Sequence, residues 1–121
     1  MKSLTKAEEE IMQVLWDIEK GFVKEIIEQL PEPKPAYNTV STIVRILEKK
    51  GFVDHEAFGK SYRYFPIVTK SSYSNDSLKS LIHNYFGGSF EELVSFFVKK
   101  NDIDIAEAEK LINEIKKNKE S

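Results

Sequence analysis

The chain has 121 residues, of which 40% are hydrophobic and 12% aromatic. This is enough apolar material for a packed core and excludes global disorder, and the length suits one domain or a small domain with an appendage. The absence of cysteine excludes disulfides and thiolate metal sites. The first residues lack the apolar segment of a signal peptide, and no apolar run approaches the roughly 18 residues that span a bilayer. We therefore expect a soluble, cytoplasmic protein with no membrane insertion.

The net charge of −2 hides an uneven distribution. Residues 1–32 carry a net charge of −4, residues 33–70 carry +4 and residues 71–121 carry −2. Affinity for phosphate follows local charge and not the isoelectric point. The middle third is therefore the candidate nucleic-acid interface.

Two short amphipathic helices are predicted before this region. Thr5 and Glu8 have the spacing of a capping box, which opens the first helix. Its apolar face then contains Ile11, Val14, Leu15 and Ile18. After Gly21 the same spacing recurs at Val23, Ile26, Ile27 and Leu30. Three prolines between residues 31 and 35 end the second helix, because proline in a helix interior costs about 3 kcal/mol.

A third helix is predicted over residues 37–51, with Asn38 as its N-cap and Gly51 as its C-cap. Its buried stripe contains Val40, Ile43, Val44 and Leu47. The opposite stripe contains Asn38, Ser41, Thr42, Arg45 and Lys49. Such side chains reach base edges and phosphates in a major groove that admits a helix, although any solvated helix can show a polar stripe. For Arg45 we favour contact with a phosphate. For Lys49 and Lys50, phosphate contact and simple exposure to solvent are equally good interpretations.

The pattern changes to a period of two in residues 53–65, which predicts two short strands about a turn at Gly59 and Lys60. Three helices followed by such a hairpin predict a mainly α protein with a winged helix-turn-helix. The hairpin is the wing.

The remaining third of the chain predicts three more helices. The run KSSYSNDS at residues 70–77 is rich in turn and cap residues, so we expect a boundary between a winged-helix domain at residues 1–70 and a helical domain at residues 71–121. The apolar faces of the C-terminal helices contain Leu78, Leu81, Ile82, Tyr85, Phe90, Leu93, Val94, Phe97, Leu111, Ile112 and Ile115. About fifty residues are too few to enclose a core of their own. These faces therefore predict a partner, most simply a second copy, and a helical dimerisation region.

Catalysis finds no support in the sequence. The chain contains no GxSxG, P-loop, GxGxxG or HExxH motif, so we expect neither an enzyme nor a cofactor. His55 and His83 are isolated from other residues at ligand spacing, and we expect no metal site.

Four segments carry a likeness to a known family: LTKAEEEIMQVLW at residues 4–16, YNTVSTIVRILEKKG at residues 37–51, YRYFP at residues 62–66 and FGGSFEELVSFFVK at residues 86–99. Together they make the chain resemble the BlaI/MecI family of bacterial repressors. The resemblance implies a homodimer whose C-terminal helices interlock while two winged helices bind the half-sites of a dyad operator in double-stranded DNA.

The resemblance also implies roles for individual residues. The side chains that would face bases or nearby phosphates are Asn38, Thr39, Ser41 and Thr42. Those that would contact the DNA backbone are Arg45, Lys49, Lys60 and Arg63. The family is inactivated by proteolysis in the fifth helix, triggered by a membrane metallopeptidase sensor, and the corresponding bond here joins Phe96 and Phe97. A related copper-responsive branch relies on C-terminal cysteines, which this chain lacks.

A different class of function stays open at this point. A winged helix can also serve as a protein-interaction adaptor that binds no DNA, because a fold does not define a function.

Overall fold

The computed structural model describes residues 2–120, with side chains described to residue 117. Its elements in chain order are α1 (Lys6–Ile18), β1 (Gly21–Phe22), α2 (Val23–Gln29), α3 (Tyr37–Lys49), β2 (Val53–Phe58), β3 (Ser61–Pro66), α4 (Lys70–Phe86), α5 (Phe90–Lys100) and α6 (Ile105–Glu120). The chain divides into two compact units, Met1–Ser77 and Leu78–Ser121.

The beginning of α1 confirms the predicted capping box. The Glu8 N–H donates to Thr5 Oγ1 at 3.2 Å, and the Thr5 N–H donates to Glu8 Oε1 at 2.7 Å. Two of the amide groups that a helix start leaves unpaired are satisfied in this way.

The ends of α3 agree with the prediction at one side and not at the other. Gly51 has φ +84°, and the Phe52 N–H after it donates to Leu47 O, which is the predicted glycine stop. Asn38 as N-cap is wrong, because Ala36 caps the helix and its carbonyl accepts from the Thr39 and Val40 amides. Asn38 therefore lies inside the first turn.

The predicted hairpin is confirmed and belongs to a larger sheet. β2 and β3 pair antiparallel about Gly59, whose φ of +62° suits a tight turn. β1 pairs with the other edge of β3, which gives the strand order β1-β3-β2. The sequence did not predict β1, because two residues are too few to show an alternating pattern.

The core of the first unit is formed by the apolar faces of α1, α2 and α3 against the sheet. Its buried apolar residues are Ile11, Met12, Leu15, Val23, Ile26, Leu30, Val40, Val44, Leu47, Phe52, Val53 and Tyr64. Three helices packed on an antiparallel wing confirm the mainly α, winged-helix fold.

Residues 70–77, which are rich in turn and cap residues and where the sequence predicts a domain boundary, form the beginning of α4. The Tyr73 ring lies 5.9 Å from Trp16 and 5.6 Å from Phe52, and its hydroxyl donates to Glu9 Oε1 at 3.1 Å. Trp16 Nε1 donates to Val68 O at 2.8 Å. These contacts hold the start of α4 in the first unit.

The second unit contains the rest of α4 with α5 and α6. The Ser89 hydroxyl accepts from the Glu92 amide at 3.2 Å and so caps α5. None of the side chains described between residues 78 and 117 is buried. The assignment of residues 1–70 to DNA binding and residues 71–121 to dimerisation stays a prediction. No helix in the described residues combines the length and the apolar character of a membrane span.

Candidate nucleic-acid interface

The exposed face of α3 is the candidate interface. Val40, Val44 and Leu47 bury the opposite face in the core. This fixes the rotation of α3 about its axis and turns the polar stripe outward. The exposed members of the stripe are Asn38, Thr42, Arg45 and Lys49, and Ser41 is half-buried. Thr39, beside the stripe, is exposed as well.

The short polar side chains lie in the first two turns of α3. The Thr42 hydroxyl donates to Asn38 O at 2.9 Å, which fixes the hydroxyl and leaves its oxygen lone pairs as acceptors. In helix-turn-helix proteins the N-terminal residues of the recognition helix, which corresponds to α3 here, contact base edges. Asn38, Thr39 and Ser41 occupy such positions here.

Arg45 lies one turn further along α3, near the Tyr64 hydroxyl. Burial and the nearby negative charge of Glu48 raise the pKa of Tyr64, and the Arg45 guanidinium opposes this rise by favouring the phenolate. Arg45 itself is exposed. Its charge therefore lies at the edge of the stripe and is open to solvent.

The two predicted wing contacts differ in their surroundings. Lys60 is exposed in the turn between β2 and β3. Arg63 is half-buried, lies 4.8 Å from the Phe58 ring centroid and approaches Glu56 Oε2 at 3.5 Å. Successive strand residues face opposite sides, so Arg63 lies on the sheet face opposite the buried Tyr64. The structure thus does not bring Arg63 together with the α3 stripe, and its contact with DNA stays a prediction.

Lys50, for which the sequence left contact and solvation open, has a structural partner. Its Nζ lies 2.7 Å from Oε1 of the buried Glu8. Lys50 therefore joins the end of α3 to the beginning of α1.

Three exposed aromatic side chains near the interface were missed by the sequence reasoning. Tyr37 begins α3, and Phe58 and Tyr62 lie in the wing beside its turn. All three line a shallow groove of about 450 Å³ together with the beginning of α2. Alternation in the strands assigns Phe58 and Tyr62 to opposite faces but does not reveal that both approach Tyr37.

The predicted dimer-interface residues form apolar surfaces in the second unit. Seven of them line a groove of about 300 Å³ between α5 and α6: Phe90, Leu93, Val94, Phe97, Leu111, Ile112 and Ile115. Leu81 and Tyr85 line a separate groove with Phe86 and Phe96. Leu78 is exposed and Ile82 half-buried on the same stretch of α4. Phe97 retains 56% and Ile115 66% of its accessible surface.

The predicted cleavage site lies in the middle of α5. Phe96 and Phe97 are both helical and at least half exposed. Phe96 packs against Phe86 at 5.5 Å between ring centroids.

The family model of the penicillinase repressor matches residues 4–117 of the chain. The chain belongs to the penicillinase repressor family. The methicillin resistance regulatory protein MecI of Staphylococcus aureus (strain N315) is 31% identical over 115 residues, which cover 94% of this chain and 94% of that protein. A penicillinase repressor of Bacillus licheniformis is 24% identical over 117 residues, covering 96% and 91% of the two chains.

The chain is also similar to the solution structure of the DNA-binding domain of the repressor BlaI, with a TM-score of 0.51 and 30% identity. The match covers 60% of this chain and 94% of that domain. The predicted BlaI/MecI membership and winged-helix repressor class are thus confirmed. The family consists of transcriptional repressors and not of enzymes, which agrees with the lack of catalytic motifs.

Proposed function

We propose that this penicillinase repressor family member acts as a homodimer whose two winged helices bind the half-sites of a dyad operator. The exposed polar and cationic stripe of α3, held outward by the buried opposite face, is the observation that supports DNA contact. Asn38, Thr39, Ser41 and Thr42 read bases or nearby phosphates, and Arg45, Lys49 and Lys60 contact the backbone. Arg63 contributes less, because Glu56 already offsets part of its charge.

Dimerisation is part of the proposed mechanism. The apolar grooves of α4, α5 and α6 support it, because they expose large side chains that a second copy would cover. Two linked winged helices make the second half-site contact intramolecular, and this multiplies the affinity for a dyad. Operator release then requires only that the dimer be loosened.

Two substitutions separate backbone contact from base reading. We expect Arg45→Ala to weaken binding to all duplexes and to reduce the slope of log affinity against log salt by about 1 for each lost contact. Asn38→Ala leaves that slope nearly unchanged and costs about 1–3 kcal/mol of discrimination at one base position of each half-site. Fluorescence anisotropy at several salt concentrations measures both effects.

Lys110→Ala is the matched control, because Lys110 is an exposed cation of α6 outside the proposed interface. It should bind DNA like the unsubstituted chain. Affinity that is independent of salt would contradict phosphate contact and favour a protein-interaction adaptor that binds no DNA.

We also propose that cleavage between Phe96 and Phe97 by a membrane metallopeptidase sensor releases the operator. Exposure of both side chains supports access, although a protease needs α5 to open locally because both residues are helical. Intact-mass analysis of the protein from induced cells should find a fragment ending at Phe96. An uncleaved protein in fully derepressed cells would contradict release by cleavage.

A further inference from the structure

Glu48, Asp54 and His55 form a cluster that the sequence reasoning did not predict. Their ligand atoms, one from each side chain, all lie within 4.8 Å of one another. Both Glu48 carboxylate oxygens lie 3.0 Å from His55 Nδ1, and Asp54 Oδ1 lies 4.0 Å from the same nitrogen. One imidazole nitrogen and two carboxylates thus lie close together.

The cluster joins two ordered elements. Glu48 belongs to the last turn of α3, and Asp54 and His55 follow at the beginning of β2. The Gly51 turn brings these elements together, since Phe52 is buried and its amide donates back to Leu47 O. Residues that are six and seven apart in the sequence therefore become neighbours in a fixed place.

The orientation of the imidazole is also fixed. The His55 ring stacks on Tyr62 with 4.3 Å between ring centroids and a tilt of 30°, and Tyr64 lies 5.8 Å away. The His55 backbone amide donates to Asp54 Oδ1 at 2.8 Å and positions that carboxylate. Nδ1 consequently faces the carboxylates in the rotamer that the structure shows.

We propose that these three residues bind one divalent transition-metal ion of the Zn²⁺ and Co²⁺ class. Imidazole nitrogen and carboxylate oxygen bind such ions at about 2.0–2.2 Å. Two ligands at right angles on the ion are then about 3 Å apart, which matches the separation of Glu48 and His55. Asp54 Oδ1, which lies 4.0 Å from His55 Nδ1, has to move closer to close the third position.

The proton balance of this step is simple. When no ion is bound, Nδ1 carries the proton that it donates to the Glu48 carboxylate. A neutral ring transfers this proton to Nε2 through solvent, and a doubly protonated ring releases it to solvent. In both cases Nδ1 then gives its lone pair to the ion and Nε2 keeps a proton. The carboxylates bind as anions. His55 and Glu48 are each about one-third exposed and Asp54 more than half, so water reaches the ion and completes its coordination.

A cation also relieves the unfavourable charge of the cluster. Two carboxylates face a single imidazole there, and Arg45, one turn before Glu48 on α3, is the nearby cation of the Tyr64 contact. Glu56 and Arg63 belong to the other face of the sheet by strand alternation. Asp54 has the same parity as Glu56, but its Oδ1 accepts from the His55 amide and lies 4.0 Å from His55 Nδ1. The proposal is independent of DNA binding.

The test uses the full chain with Zn²⁺ in competition with a chromophoric chelator, and Co²⁺ with detection by visible absorption and histidine NMR. We expect one ion per chain, with paramagnetic shifts at His55 and none at His83. His55→Gln and Glu48→Gln should each lower Zn²⁺ affinity about tenfold or more. Asp54→Asn, at the most exposed position, gives a third variant that keeps the fold.

His83→Gln is the matched control, because His83 is the other histidine of the chain and lies at the end of α4. It should keep the full affinity. The proposal is overturned by the absence of saturable binding, by equal affinity in the His55→Gln variant, or by metal-dependent shifts confined to His83.

Discussion

The ion pair between Glu8 and Lys50 is the most buried charged contact in the described residues. Glu8 retains 4% of its accessible surface. Burial alone would raise its pKa, but the Lys50 ammonium and the hydrogen bond from the Thr5 amide outweigh this effect and lower the pKa of Glu8 below 4.5. One carboxylate thus caps α1 and holds the end of α3.

Lys50→Met should destabilise the protein by about 2 kcal/mol at neutral pH, because it leaves a buried carboxylate without its cation. Urea denaturation followed by circular dichroism measures the free energy of unfolding. Lys49→Met is the control, since Lys49 is exposed on the same turn. A loss of equal size in both variants would contradict a specific role for the Glu8 contact.

The same contact has a defined pH dependence. A carboxyl whose pKa is lower in the folded chain stabilises it above the unfolded pKa, near 4.5 for glutamate, and this contribution is lost as the pH falls through the folded pKa. The stability difference between the unsubstituted chain and Lys50→Met should therefore be constant near neutrality and shrink as the solution becomes acidic, because burial without Lys50 raises the pKa of Glu8 in the variant and protonation then removes the penalty. A difference that grows on acidification would have the wrong sign.

At the scale of the elements, the stop after α3 positions both the wing and the proposed metal site. Gly51 has φ +84°, and a Cβ there would meet no atom within 4 Å. Gly51→Ala should therefore cost about 1 kcal/mol through backbone strain alone, whereas Gly51→Asn should cost less because asparagine tolerates this conformation. Urea denaturation of both variants measures which one loses more free energy of unfolding. Equal losses would show that the positive φ of Gly51 is not the cause.

Much of the fold could be predicted from helical and strand periodicity, because the buried positions of α1, α2 and α3 repeat along each helix. The misplaced features have specific causes. Turn-forming residues at 70–77 become helical because Tyr73 packs on Trp16 and Phe52, which a local reading does not include. The candidate interface was predicted as a stripe of α3, but the partners of Lys50 and His55 depend on contacts across a helix end.

At the scale of the whole molecule, the second unit exposes the surface that the proposed dimer buries. Phe97→Glu should shift the protein to monomers and weaken operator binding, because it places a charge in the apolar groove between α5 and α6. Sedimentation velocity measures the oligomeric state. Lys110→Glu, a larger change of charge on α6, should leave the dimer intact. If both variants remained dimers, the groove between α5 and α6 would not be the dimer interface.

The proposed homodimer presents α3 twice, in fixed spacing, to one stretch of DNA. The most direct measurement is selection of bound duplexes from a random pool by the full chain, followed by native mass spectrometry of the complex. We expect an inverted repeat occupied by two chains. A single half-site bound by one chain with undiminished affinity would contradict it.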